Sequence, residues 1–273
     1  MKKRIYVIVG LVILIWAGWI AVEEINSNKL EIVFFDIGQG DSIYIETPND
    51  FQVLIDGGPS SAVLEKLGQE MPPYDRSIDL VVLTHPDSDH LFGLLEVLKR
   101  YKVENILWTG VIKDTAEYKE WVRLIEEEQA NIIIAEAGQK ILLEKDNIYL
   151  EVLYPLESVD GQETKSMNNT SVVARLVFEG GKVLLTGDIS KKAEKELVEN
   201  YNDLESDILK IAHHGSKSSS CFEFIEAVNP EIAVISVGEN SWGHPSEEVL
   251  QTLQQFGIQT LITKKTGDIK FAF

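Results

Sequence analysis

The chain has 273 residues, with 44 acidic against 25 basic side chains and a formal net charge of −19 at neutral pH. That excess works against indiscriminate binding to nucleic acid or to an anionic membrane surface, both of which depend on basic patches, but bound cations can reverse the sign inside a pocket and admit a phosphate substrate. A single cysteine, Cys221, excludes an internal disulfide and a multi-cysteine zinc cage.

Residues 5–22, IYVIVGLVILIWAGWIAV, form an uncharged run of 18 residues, at the lower end of what spans a bilayer as a helix. Lys2, Lys3 and Arg4 precede it and Glu23 and Glu24 follow, so the positive-inside rule predicts a single-pass anchor. The N-terminus stays cytoplasmic, the remainder is extracytoplasmic, and Trp16 and Trp19 suit the interface. The competing reading is a cleaved signal peptide and a secreted product, but its apolar core is normally shorter, and no A-x-A pair closes this one. Removing residues 1–22, which hold three basic and no acidic residues, leaves −19 − 3 = −22 on the exported part. The expected division is residues 1–29 as anchor and short linker and residues 30–273 as one domain.

From residue 30 the pattern opens with three strands, LEIVFFDI, SIYIETP and FQVLIDG, separated by turns at Gly38-Gln39-Gly40-Asp41 and Pro48-Asn49-Asp50. A short helix, SAVLEKLGQEM, a buried strand, IDLVVLT, and a helix, FGLLEVLKRY, follow. Strand VENILW, amphipathic helix TAEYKEWVRLIEEEQ and strand NIIIAE continue the alternation. Residues 147–188 return to β with NIYLEVLYP and the hairpin SVVARLVF/KVLLTGD. Helix SKKAEKELVENY, strand DILKIA, helix FEFIEAV, strand EIAVISV, helix PSEEVLQTLQQF and strands QTLITK and DIKFAF complete the chain, so the second half repeats the logic of the first.

All five histidines lie in three short polar clusters that follow apolar strands: His85-Pro86-Asp87-Ser88-Asp89-His90, His213-His214-Gly215-Ser216 and Gly243-His244-Pro245. Strand ends are where α/β proteins gather binding groups, and histidine with carboxylate is a common donor set for zinc and its neighbours. Asp87, Asp89 and the flanking histidines place four donors within six residues, a loop able to serve two nearby metals. The carboxylate at Asp87 hardens the site, which suits manganese as well as zinc.

His85-Pro86-Asp87-Ser88-Asp89-His90 resembles the HxHxDH loop of the metallo-β-lactamase superfamily, in the HxDxDH form found in DNA-internalisation competence proteins of the ComEC type. Further stretches match in family order. They are residues 35–42 with Asp36, Gln39 and Asp41, the Asp56-Gly57-Gly58 turn, the Asn168-Asn169-Thr170-Ser171 stretch, Thr186-Gly187-Asp188, and the two later histidine motifs. The resemblance implies an α/β fold, a four-layer αββα sandwich behind one N-terminal transmembrane helix, with two divalent ions, Zn2+ or Mn2+, along one sheet edge. It implies His85 and Asp87 on one ion, Asp89 and His90 on the other, Asp188 between them, and one of His213 and His214 completing a shell. His213, which comes straight off the strand, is the expected ligand. Asp89, His214 and His244 are the expected catalytic groups, acting on a bridging hydroxide and a leaving group. Asn168 or Asn169 stands where the superfamily commonly has another metal-binding histidine. Asp36 and Asp56 are expected to brace loops, Trp242 to form a substrate wall, and Ser216 to bind substrate or support the residues that do, whereas Ser218, Ser219 and Ser220 read as an N-cap for the next helix.

The ComEC-type resemblance implies hydrolysis of a phosphodiester, with single-stranded DNA as the substrate and a separate DNA-uptake channel protein as a partner. The sparse basic residues near the motifs, Lys210, Lys217, Lys264 and Lys265, leave two other readings open. One is a small-diester esterase resembling the phosphorylcholine esterases; the other is an accessory protein that binds metal or DNA without turnover.

Overall fold

The computed structural model describes residues 29–144 and 148–273. The expected anchor lies outside the described residues, and among those described no helix is long and apolar enough to cross a membrane. Among the described residues, fourteen strands form two seven-stranded sheets. The first contains β1 (Glu31–Phe34), β2 (Ile43–Glu46), β3 (Gln52–Ile55), β4 (Ser77–Val82), β5 (Lys102–Trp108), β6 (Asn131–Ile134) and β14 (Ile269–Ala272), in the order β14-β1-β2-β3-β4-β5-β6. The second contains β7 (Lys140–Glu144), β8 (Ile148–Tyr154), β9 (Val173–Phe178), β10 (Gly181–Leu185), β11 (Ile208–Lys210), β12 (Ile232–Ile235) and β13 (Gln259–Ile262), in the order β13-β12-β11-β10-β9-β8-β7.

Each sheet changes from antiparallel to parallel pairing partway across. In the first, β1 to β3 pair antiparallel and β3 to β6 parallel. In the second, β7 to β10 pair antiparallel and β10 to β13 parallel. Connection length contributes: short connections join β2 to β3, β7 to β8 and β9 to β10, which pair antiparallel, and helical crossovers join the parallel strands.

Side-chain alternation produces the four layers. Ile32 and Phe34 of β1 face the core between the sheets, while Val33 and Phe35 face the helices Ala62–Glu70, Ser88–Leu98 and Ala116–Glu128. In the second sheet Val234 enters the inter-sheet core, and Ala233 and Ile235 pack under the helices Lys191–Asn200, Phe222–Val228 and Glu247–Gln255. Each fully buried Leu, Ile or Phe stabilises by about 1.5–3 kcal/mol, so three separate cores hold the αββα sandwich together. This is the architecture that the motifs imply.

Three sequence expectations require correction. Strand β7 was not expected: KILLE lies on a sheet edge and leaves Leu142 60% exposed, so its pattern carries no strong burial signal. QTLITK stops as a strand at Ile262, and Thr263–Thr266 turn into a short helix whose Thr263 hydroxyl ties back to Val237. The third bears on the site. The helix expected from Phe92 begins at Ser88, inside the histidine cluster, with Asp87 at its N-cap. Asp89 and His90 therefore stand on the first helical turn. There backbone N–H groups favour carboxylates.

Candidate metal centre

The first half of the chain holds its donors through local bracing. Asp56, in a left-handed turn after β3, accepts from the Thr84 backbone N–H at 2.8 Å and the Thr84 hydroxyl at 2.7 Å. Its Oδ2 lies 2.7 Å from His90 Nδ1, which leaves His90 Nε2 directed at Asp188 Oδ2, 3.4 Å away. A carboxylate behind a ligating imidazole fixes its tautomer and raises its basicity, so Asp56 acts as a brace rather than a ligand. His85 Nδ1 lies 3.1 Å from the Thr84 hydroxyl and 3.3 Å from that of Ser171, and its Nε2 remains free. Close packing of the loop on the Ser88–Leu98 helix requires glycine: a Cβ on Gly93 would strike the backbone of Gly57. Gly57 N–H donates to the His90 carbonyl at 2.7 Å across that contact.

The second half contributes one group per strand end. Asp188 follows β10, and its N–H donates to the Ser171 hydroxyl at 3.2 Å. After β11 the chain takes two consecutive left-handed residues, His213 (φ 51°) and His214 (φ 54°), each costing on the order of 1–3 kcal/mol. This turn sends the adjacent imidazoles to different places. His214 is buried, Nδ1 lies 2.9 Å from the Ser236 carbonyl, and Nε2 is 3.4 Å from Asp89 Oδ2 and 3.5 Å from Asp188 Oδ2. His213 has a side chain 28% exposed, lies 3.9 Å from Asp188, and faces Asn168 and Ser218. The strained turn brings His214 into the donor sets, where His213 was expected.

Four donor sets result: His85, His90 and Asp188; Asp89, His90 and His214; Asp41, Asp56 and His90; and Asp41, Asp188 and His214. In each, the ligand atoms lie within 4.8 Å of one another. The buried atoms His85 Nε2, His90 Nε2, His214 Nε2 and Asp188 Oδ1 have no hydrogen-bond partner. Orphaned nitrogens and oxygens are costly in a protein interior, and their convergence fits a divalent cation.

The electrostatics point the same way. Burial alone would raise the Asp188 carboxyl, but His214 and His90 hold it well below the usual range. Burial opposes charge on His214 and His90 as well. Asp188 and Asp41 nevertheless push His214 up to about 10, and Asp188 and Asp56 lift His90 well above its ordinary value. Protons thus occupy positions that suit cations. His213 and His244 behave oppositely, since burial lowers both.

The remaining expected residues divide by role. Asp87 Oδ2 is 3.7 Å from His85 Nε2, and its Oδ1 accepts from Lys113 at 2.5 Å, a partner that no sequence signal marked. Asn169 accepts from the Ser190 N–H at 3.0 Å and braces the loop after Asp188, whereas Asn168 reaches His213. Asp36 turns toward its own loop at Gly38, its N–H donating to Asp268, and Gln39 accepts from the Gly238 N–H at 3.4 Å. Ser216 is buried and bonded to Ser218, and so supports the turn. Ser219 bonds back to Ala212, and Cys221 takes the N-cap position without a side-chain cap, correcting the expected serine N-cap. His244 and Trp242 sit together, their ring centroids 6.3 Å apart, on a loop organised by Asn240; Trp242 is 69% exposed. The His244 ring lies 5.5 Å from that of His213. Lys210, expected near substrate, is instead buried and paired with Asp41, and Lys264 pairs with Glu239. Lys210 was detectable in principle: a lysine in an apolar parallel strand must have a buried partner.

Comparison with known proteins fits this geometry. The family model of the metallo-β-lactamase superfamily matches residues 35–239. ComE operon protein 3 of Bacillus subtilis is 31% identical over 266 residues, covering 90% of this chain and 33% of its own. Competence protein ComA of Neisseria gonorrhoeae is 31% identical over 264 residues, covering 95% and 35%. The chain spans about a third of the length of these relatives. Among solved structures, Igni18, a metallo hydrolase from Ignicoccus hospitalis, superposes with a TM-score of 0.57 at 16% identity, covering 90% of this chain and 99% of its own. YhfI, a metallo-β-lactamase fold protein from Bacillus subtilis, gives 0.58 at 14% identity, covering 88% and 99%. At these identities the structures speak to the fold alone. With the matched motifs, the two-sheet sandwich and the donor cluster on one edge, the chain belongs to the metallo-β-lactamase superfamily.

Proposed function

We propose that this chain is a metal-dependent phosphodiesterase acting on single-stranded DNA outside the cytoplasm. The observation that carries the reading is the set of buried, unpartnered donor atoms on His85, His90, His214 and Asp188. His85 and Asp87 would hold one divalent ion, and Asp89, His90 and His214 a second, with Asp188 within reach of donors of both groups. Such ions, Zn2+ or Mn2+, supply Lewis acidity and a nucleophilic hydroxide near neutral pH. Asp89, on the first helical turn, would orient the nucleophile. His213 and His244, whose proton affinity burial lowers, stand beside the centre and serve the leaving oxygen by hydrogen bonding. His214 therefore takes the ligand role and His213 the substrate role, the reverse of the sequence expectation.

The choice of substrate rests on the competence proteins among the relatives and on Trp242, whose exposed ring beside His244 offers a stacking surface for a base. The apolar segment at residues 5–22 supports a single-pass anchor with the catalytic part extracytoplasmic. The competence proteins among the relatives support a DNA-uptake channel protein as its partner. The acidic surface, with Lys210 and Lys264 held in ion pairs, favours a second reading in which the diester is small or cationic.

The test is turnover of bis(p-nitrophenyl) phosphate, labelled single-stranded DNA and a phosphocholine diester by the full chain with Mn2+ or Zn2+, with Asp89→Ala as control. Absence of metal-dependent diester cleavage defeats the enzyme reading and leaves an accessory binding protein. Preference for the phosphocholine diester reverses the choice of substrate. Trp242→Ala should weaken DNA binding by about tenfold and leave the small diester unaffected.

A further inference from the structure

Lys210 lies wholly buried on β11, and its ammonium pairs with Asp41 beside the donor cluster. Nζ donates to Asp41 Oδ2 at 2.5 Å and to the Ile211 carbonyl at 3.1 Å. Asp41 comes from the other half of the chain, 169 residues away, and its Oδ1 lies 3.4 Å from His214 Nδ1 without a hydrogen-bond partner. By position Asp41 qualifies as a ligand, since it completes two of the four donor sets, one with Asp56 and His90 and one with Asp188 and His214. A cavity of about 10 Å³, at the limit for a single water, adjoins the pair and is lined by Asp41, Asp56, Thr84, Gly187 and Lys210 among apolar side chains. Asp41 is thus a carboxylate at ligand distance that is already neutralised by an ammonium group.

We infer that Lys210 is a built-in cation that keeps Asp41 out of the metal shell and so sets the affinity and selectivity of the centre. An ammonium is a compact charge with three donors and no exchangeable ligand, so it satisfies the carboxylate permanently and confines divalent ions to the outer donors. With Asp41 withheld, the ion near His214 has one hard oxygen ligand fewer, which moves the site away from Mn2+ and toward Zn2+. Asp41 Oδ1 then stands 3.4 Å from His214 Nδ1, whose own hydrogen-bond partner is the Ser236 carbonyl at 2.9 Å. The inference rests on reading the cluster as a divalent-cation centre.

Direct binding measurements test it without recourse to activity. Mn2+ and Zn2+ affinities are measured by calorimetry on the full chain and on Lys210→Met, Asp41→Asn and the double variant, with Mn2+ electron paramagnetic resonance to read the ligand set. Lys210→Met should bind Mn2+ about tenfold more tightly relative to Zn2+ and show an altered resonance, while Asp41→Asn and the double variant should retain the parental ratio. Lys210→Met leaves a buried carboxylate unpaired and will unfold more easily without metal, but Mn2+ should restore it. An unchanged ratio, or a Lys210→Met chain that Mn2+ does not restore while the double variant folds normally, would reduce the pair to a structural salt bridge and overturn the inference. A parental chain that binds neither ion would instead defeat the reading of the centre itself.

Discussion

The two halves of the chain share one plan, antiparallel strands passing into parallel ones beneath three helices, yet they supply the centre in opposite ways. The first half concentrates His85, Asp87, Asp89 and His90 in a single strand-to-helix loop, braced within that half by Asp56 and Thr84. The second disperses its donors over separate strand ends, with Asp188 after β10 and His214 after β11, and holds them through contacts that cross the chain. Ser171 ties Asp188 to His85, and Asp41 stands behind His214. A concentrated set is preformed by local structure. A dispersed set exists only once β10 and β11 have paired, and it meets the first half's donors only once both sheets have packed, so bound metal should weld the halves together.

The largest effect should come from the group that serves both halves. Asp188→Asn keeps the shape of the residue, removes the charge facing His90 and His214, and should lower diester turnover by about 10³-fold, read as kcat/KM beside an unchanged circular dichroism spectrum. If turnover survives, the halves do not meet at Asp188. Next comes the neighbouring pair on the strained turn. His214→Ala should lose bound metal, whereas His213→Ala should keep it and lose about 10²-fold in kcat; equal metal content in both would return the ligand role to His213.

Chelation is a smaller perturbation of the same comparison. Ion present at about a hundred times its Kd contributes about 2.7 kcal/mol, so its removal should lower Tm by roughly 5–10 °C. Hydrogen exchange should rise mainly in the loops after β10 and β11, where the dispersed donors lie. Equal loosening of the 85–90 loop would break the distinction between preformed and assembled donors.

The smallest effects come from the braces and from pH. Asp56→Asn should weaken metal binding about 10- to 100-fold through His90 without abolishing it. The metal-free cluster retains protons on His90 and, up to about pH 10, on His214. Metal must displace them, so affinity should fall as pH falls and loading should release protons between neutral pH and about 10, measurable by calorimetry in buffers of different ionisation enthalpy. Loading without proton release would show that the carboxylates do not hold those imidazoles charged.

The contrast between the halves also explains what could be read from the sequence. Strand alternation gave the two β-rich segments and the helical crossovers, because Ile32/Phe34 against Val33/Phe35 is a local pattern enforced by burial on two faces. The 85–90 loop was legible as a donor set because its donors are neighbours in the chain. The edge strand β7 was not, since an exposed edge asks little of its side chains. Nor was the start of the Ser88–Leu98 helix, where Asp87 is at once N-cap and donor.

The sequence by itself determined which residue types could bind a cation and at which strand ends they would stand. Tertiary structure decided how those residues are used. Two left-handed residues select His214 over His213, sheet packing places Asp188 between imidazoles from both halves, and Lys113 and Lys210 take up Asp87 and Asp41. The physical reason is range. Burial periodicity and turn chemistry act over a few residues, whereas a buried charge finds its partner wherever the fold brings one, here 169 residues along the chain from Asp41 to Lys210.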